Sequence, residues 1–280
     1  MNNLIFLKLG GSLITDKTRP YTPRLDSLKR LADEIAAAMA AEPALRLIVG
    51  HGSGSFGHYA ATEALAPHPY PPHDAQGALD YWRGVSEVWY RASQLNRCVV
   101  EALREAHIPV MSFPASAGAC AEGGKVKSWF LEPFDKALEA GLVPIVYGDI
   151  AFDSVKGSTI LSTEMLLFHL AQRLHPETVL LAGLEAAVWA DFPRRQQRIE
   201  KITAAGYDAI SGHVGGSHGT DVTGGMRSKV EEMLELVSQI PKLTVQIFSG
   251  EEPGNLERAL RGEVLGTLIA SDEFSRKQDG

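Results

Sequence analysis

With 280 residues, 45% of them hydrophobic, the chain is long enough to bury a large core, as one big domain or as two intimate halves. A net charge of -7 leaves no electrostatic footprint for nucleic acid and directs any phosphate chemistry toward small molecules. Cys98 and Cys120 have neither metal-ligand nor disulfide spacing, no apolar run approaches the roughly 18 residues that span a bilayer, and the chain enters its first strand without a basic leader, so a cytoplasmic protein away from membranes is expected.

The first apolar run, residues 4 to 8, predicts a strand that ends in Gly10-Gly11-Ser12. Lys8 at its end could be a solvated edge charge. Ligands of open α/β sheets, however, bind at the carboxyl ends of strands, where glycines let backbone N–H groups approach an anion beside an ammonium. Lys17 lies in the following loop near Thr15 and Asp16, a setting as common for surface lysines as for catalytic ones. A helix is predicted over about 26 to 41 with Asp26 as its N-cap, then a strand over 45 to 49.

The next loop, Gly52-Ser-Gly-Ser-Phe-Gly57, spells the dinucleotide pattern G-x-G-x-x-G. That pattern also calls for an acidic residue about 20 positions later, at the end of a second strand. Pro69, Pro71 and Pro72 occupy that region, so the loop reads as a phosphate cradle rather than a nicotinamide or flavin site. His58 closes the loop, where an imidazole either donates to a bound phosphate or serves the fold. The other histidines, His213 and His218 among them, are expected on the surface.

Residues 64 to 77 carry too many prolines for a helix or a central strand and predict a surface loop near a site entrance. Further along, helices are predicted over about 79 to 106, 163 to 174, 225 to 239 and 254 to 261, and strands over 108 to 113, 143 to 147, 179 to 182, 243 to 248 and 264 to 269. Val230, Met233, Leu234 and Val237 give the 225 to 239 helix an apolar stripe. A Gly, Ser and His-rich stretch over 211 to 225 leads into it and, like 64 to 77, reads as a lid. Strands separated by helices predict right-handed crossovers and a mainly parallel sheet covered on both faces, an α/β fold.

Lys8-Leu-Gly-Gly-Ser12, His51-Gly-Ser-Gly-Ser-Phe-Gly-His58, Gly148-Asp149 and Asp221-Val-Thr-Gly-Gly-Met-Arg-Ser-Lys229 resemble, in this order, the signature blocks of the amino acid kinase superfamily. The loop ending in Phe-Gly-His is similar to that of its isopentenyl phosphate kinases. The resemblance runs from the first strand to Leu265-Gly-Thr-Leu-Ile269. It implies an open αβα sandwich, one domain over 1–280, with the phosphate acceptor in about 1–150 and ATP in about 151–270. It also implies ATP-dependent phosphorylation of isopentenyl phosphate to isopentenyl diphosphate in isoprenoid biosynthesis, Mg²⁺ accompanying ATP, and a homodimer. By motif position, Lys8 and Lys229 would contact the transferring and β-phosphates, with Gly10, Gly11, Ser12, Gly54 and Gly225 around the ATP phosphates and Lys17 at the transition state. Ser53, His58 and Gly148 would bind the acceptor.

Two blocks depart from the pattern. Ser162-Thr-Glu-Met165 stands where the family often has Ser-Gly-Asp-Asp, and Ala182-Gly-Leu-Glu-Ala-Ala-Val-Trp189 stands near its Thr-Asp-Val-Asp-Gly-Val-Tyr block, changes expected to remove acidic groups that orient lysines or Mg²⁺. A phosphate monoester is already largely anionic at neutral pH, with a second pKa of about 6, so no general base is required. Lys8, Lys17, His58 and Lys229 suit charge neutralisation in phosphoryl transfer. Other members of the superfamily, acting on a carboxylate, a carbamate or a phosphonate such as fosfomycin, stay open, as does a non-catalytic nucleotide-binding protein on the same fold.

Overall fold

The computed structural model describes residues 3–274 apart from Pro69, His73 and 211–224. Alternation along the first strand, β1 (Leu4–Leu9), organises it. Successive side chains point to opposite faces, so Leu4 and Phe6 join one apolar cluster while Ile5, Leu7 and Leu9 join another. Lys8 therefore belongs to the Leu4 and Phe6 face.

In chain order, α1 (Gly11–Ile14), α2 (Leu25–Ala41), β2 (Arg46–His51), α3 (Gly54–Ala60), a π-helical turn (Ala61–Leu65) and α4 (Ala75–Glu105) follow β1. Next come β3 (Val110–Ser112), α5 (Ala115–Gly118), β4 (Ala119–Glu122), β5 (Lys125–Trp129), α6 (Glu132–Glu139), β6 (Val143–Tyr147), β7 (Asp149–Asp153) and β8 (Gly157–Leu161). The rest comprises α7 (Thr163–Leu174), β9 (Thr178–Gly183), β10 (Val188–Trp189), β11 (Arg198–Ile199), β12 (Lys201–Ile202), α8 (Ala204–Ile210), α9 (Gly225–Gln239), β13 (Thr244–Ser249), α10 (Asn255–Leu260) and β14 (Thr267–Ala270).

The central eight-stranded sheet runs β12-β14-β13-β9-β1-β2-β6-β3. Its pairings are parallel except for β13 with β14. Residues from α2, α4 and α10 pack on the Ile5 face and residues from α6, α7 and α9 on the Leu4 face. The architecture is the expected αβα sandwich.

Some local expectations change. Asp26 lies in the first turn of α2, behind Arg24 at the cap position, where a carboxylate favours the helix dipole without capping it. The long helix starts at Ala75 because Asp74 caps it, accepting from Gly77 N at 2.7 Å, which shortens the proline-rich loop. Gly266 at φ 65 delays the last strand to Thr267. A second sheet, β5-β4-β7-β8, has no counterpart in the sequence reading. Asp153 fastens its two hairpin tips, accepting from Gly123, Gly124, Val155 and Lys156 at 2.6–3.0 Å.

Candidate active site

Strands β9, β1 and β2 end side by side, and the chain leaves β1 between β2, the next strand in sequence, and β9, more than a hundred residues further on. That is the topological switch point at which open α/β sheets form a crevice. Two glycine turns meet there. A Cβ on Gly11 would lie 2.6 Å from Gly54 N, and one on Gly52 would lie 2.8 Å from Gly11 N, so only glycines let these backbones touch. Gly54 adds a φ of 51°. Thr15 pins the contact, donating to Gly11 O at 2.7 Å and accepting from Ser55 N at 3.0 Å. The Gly10 N–H, expected to serve a phosphate, is donated to Ala182 O at 2.8 Å; the N–H groups of Gly11 and Ser12 open α1 without intrahelical partners.

Lys8 sits on the sheet face covered by α7 and α9, and there it forms an ion pair with Glu164 of α7. The two side chains are 10% and 8% exposed, so neither charge could persist without the other. Burial by itself would raise the Glu164 carboxyl, yet the Lys8 and Lys229 ammoniums hold it below the usual carboxylate range. Lys229, half-buried on α9, thus faces the same carboxylate from the opposite wall. One turn further along α9 is Glu232, whose carboxyl is pushed up to about 7 by burial and then by the Glu164 charge. Gly225 starts α9 in the left-handed region, at φ 72. The rest of its glycine motif, 221–224, and the predicted lid over 211–224 lie outside the described residues.

The other side of the crevice carries the acceptor candidates. Ser53 precedes α3, and Gly148 follows β6 with Ser53 N 3.7 Å from where its Cβ would lie. His58 is half-buried on α3. Lys17 is exposed in the loop after α1, and Tyr59 beside His58 donates to the Lys17 carbonyl at 3.4 Å. The structure therefore groups Lys8 with Lys229, Gly11 with Gly54, and Ser53 with Gly148.

Three residues contradict or escape the sequence reading. His51, expected on the surface with the other histidines, is completely buried at the end of β2 because its position continues the inward face of Leu47 and Val49. Glu164 shows that Ser162-Thr-Glu-Met165 does not strip the lysines of a carboxylate. Its signal was legible, since Glu164 shares the buried face of α7 with Leu167 and Ala171. Glu232 stands three residues after Lys229, a spacing that puts two groups on one helix face. In the second departing block, Glu185 accepts from Trp189 Nε1 at 3.0 Å and from Arg195 Nη2 at 2.7 Å, so its carboxylate ties the loop beyond β9.

A sequence model described as the Amino acid kinase family matches residues 3–249. The chain belongs to that family. Within this kinase family its similarity is to isopentenyl phosphate kinases. The enzyme so named from Methanothermobacter thermautotrophicus is 34% identical, covering 95% of this chain and 98% of the relative. The one from Haloferax volcanii is 35% identical over 93% of this chain and 100% of its own length. A solved structure described as an isopentenyl phosphate kinase superposes with a TM-score of 0.80 at 30% identity, covering 95% of this chain and 100% of that one. No helix among the described residues is long and apolar enough to cross a membrane.

Proposed function

We propose that this kinase transfers the γ-phosphoryl group of ATP to isopentenyl phosphate, giving isopentenyl diphosphate and ADP. The observation that carries the reading is the crevice itself: two lysines drawn from β1 and α9 converge on Glu164 at one side of interlocked glycine turns, and Ser53 approaches Gly148 at the other. An oxygen of the acceptor phosphate attacks the γ-phosphorus while the bond to the bridging oxygen of ADP breaks. Both reactants are polyanions, so the protein's task is alignment and charge dispersal.

In this reading Glu164 keeps Lys8 ionised and aimed, and Lys8 and Lys229 neutralise the transferring and β-phosphate oxygens. Gly11, Ser12, Gly54 and Gly225 bring backbone close to the ATP phosphates, whereas Gly10 serves the turn through its bond to Ala182. Lys17 closes on the transferring group from the loop beside α3, and His58 and the Ser53 N–H hold the acceptor phosphate. ATP is taken with Mg²⁺, which lowers phosphate charge; the Glu232 carboxyl, pushed up partly by Glu164, is the group present that such a cation would relieve. Residues 1–150 and 151–270 serve as acceptor and nucleotide halves. Homodimeric assembly and a cytoplasmic setting belong to the same proposal, supported by the family resemblance and the cysteine usage.

The test is ADP release with ATP, Mg²⁺ and a panel of isopentenyl phosphate, dimethylallyl phosphate, fosfomycin, acetylglutamate and carbamate. The two isoprenoid monophosphates are expected to win by a wide margin. Preference for a carboxylate acceptor would overturn the reading and leave the fold intact.

A further inference from the structure

His51 is a buried imidazole that the phosphoryl-transfer scheme does not use. It is 0% exposed, and its ring stacks on Tyr147, its cross-strand partner, with centroids 5.3 Å apart and planes 8° from parallel. Nδ1 lies 3.2 Å from Gly52 O, and Nε2 lies 3.3 Å from Oδ1 of the Asn96 amide on α4. That amide in turn meets Ser112 Oγ on β3 at 2.9 Å. The main-chain carbonyl of His51 accepts from Thr163 Oγ1 at 2.7 Å and from Gly148 N at 3.2 Å. One residue thus joins the glycine loop, α4, β6 and the start of α7. A purely apolar side chain could fill this core position, so the polar ring implies a directional task.

The hydrogen bonds define that task. Burial lowers the His51 pKa to about 4, so at neutral pH the ring has one N–H and one lone pair. A carbonyl can only accept, so Gly52 O fixes the proton on Nδ1. Nε2 then needs a donor, which the Asn96 amide supplies once its O and N are exchanged from the placement above, so that the NH₂ faces the ring and the oxygen accepts from Ser112, the exchange that gives every group in the network a partner of the right kind. A trans peptide holds its C=O and N–H on opposite sides. Turning Gly52 O toward His51 therefore turns the Ser53 N–H away from the core, on the side where Gly148 lies, and among the described residues that N–H has no partner.

We propose that His51 is a positioning residue that, through Gly52 O, aims the Ser53 N–H at the phosphate of the acceptor. This rests on the phosphoryl-transfer reading above. It assigns His51 to acceptor binding and not to ATP, although the residue touches neither.

Steady-state kinetics with both substrates test it, alongside ¹⁵N NMR of the imidazole in the wild-type protein. His51→Phe keeps the stack and loses the donor, and should raise the acceptor KM about tenfold while leaving the ATP KM within about twofold. His51→Asn places an amide NH₂ near the Nδ1 position and should recover most of the loss; His51→Gln, reaching toward Asn96 instead, should not. Asn96→Asp cannot donate to Nε2, should move the proton to Nε2, and should raise the acceptor KM as His51→Phe does. An Nε2-protonated ring in the wild type, or an equal rise in both KM values in His51→Phe, would overturn the proposal, as would unchanged kinetics in folded His51→Phe and Asn96→Asp. If wild-type protein does not turn over isopentenyl phosphate, the functional reading has failed; the ring spectrum of wild type and Asn96→Asp then still decides the geometry.

Discussion

The two walls of the crevice are built by different means. On the β1 and β2 side, backbone meets backbone, a Cβ has no room at Gly11 or Gly52, and His51 is sealed among four elements. On the α9 side, Lys229 and Glu232 are half-buried and reach the Lys8 and Glu164 pair through charge. The first wall is specified by shape and tolerates little; the second is specified by electrostatics and should tolerate isosteric change while remaining sensitive to pH.

The sharpest way to break that contrast is to compare the two lysines. Lys8→Met should lower kcat by about 10² or more and also destabilise the fold, because Glu164 is left buried and unpaired, a situation that costs about 3–5 kcal/mol. Adding Glu164→Gln should restore the melting temperature without restoring turnover. Lys229→Met should lower kcat by a similar factor with a nearly native melting temperature. If Lys8→Met and Lys229→Met were equally stable, the buried-pair account would fail.

Shape makes the next prediction. Gly11→Ala pushes a methyl group into the Gly54 backbone and should cost about 1–3 kcal/mol as well as activity, whereas Gly183→Ala, which meets nothing within 4 Å, should be tolerated in stability. Thermal melts of the pair check this directly. For His58, an Ala substitution should impair acceptor kcat/KM while ATP binding hardly changes, and His58→Gln should keep part of the activity by retaining a donor. An unchanged acceptor kcat/KM in His58→Ala would remove it from the site.

The smallest effect concerns pH. Glu232 titrates near 4.5 when unfolded and is pushed up to about 7 in the fold, so between those values the folded protein holds the extra proton and this group's contribution to stability falls as pH rises. His51 runs the other way: its pKa drops from 6.5 to about 4, so its contribution is present above pH 6.5 and is lost as pH falls toward 4. Glu232→Gln should remove the falling contribution and leave that of His51 unopposed, so the slope of melting temperature against pH between 5 and 7 should become more positive. An identical slope in the variant would mean that the carboxyl is better solvated than its surroundings imply.

Much of the fold was legible because its central strands are short apolar runs between glycine turns, and 163–174 and 225–239 carry clear helical periodicity. The second sheet was not. Its strands expose residues such as Phe152 and Ile160, and their pairing depends on contacts distant in sequence, including the parallel match of Cys120 with Phe152. In the site, the glycine motifs and lysines could be read from local spacing. The place of Glu164 on the buried face of α7 could be read in the same way, but its partner and those of His51 needed the sheet order, because only the stacking of α7 on the Lys8 face and of α4 on the His51 face brings them together.

The position of β1 also decides how this molecule can be divided. It pairs along Leu4 to Leu9 with β2 and along Ile5 to Leu9 with β9, so the proposed acceptor and nucleotide halves would meet at an unbroken ladder rather than a linker. Fragments 1–150 and 151–280 produced separately would cut through β7 and would each bare a central, apolar strand edge, the kind of edge that invites aggregation. They should remain in solution only when made together, zipping β1 against β9. Limited proteolysis of the intact chain should accordingly nick surface connections without releasing either half.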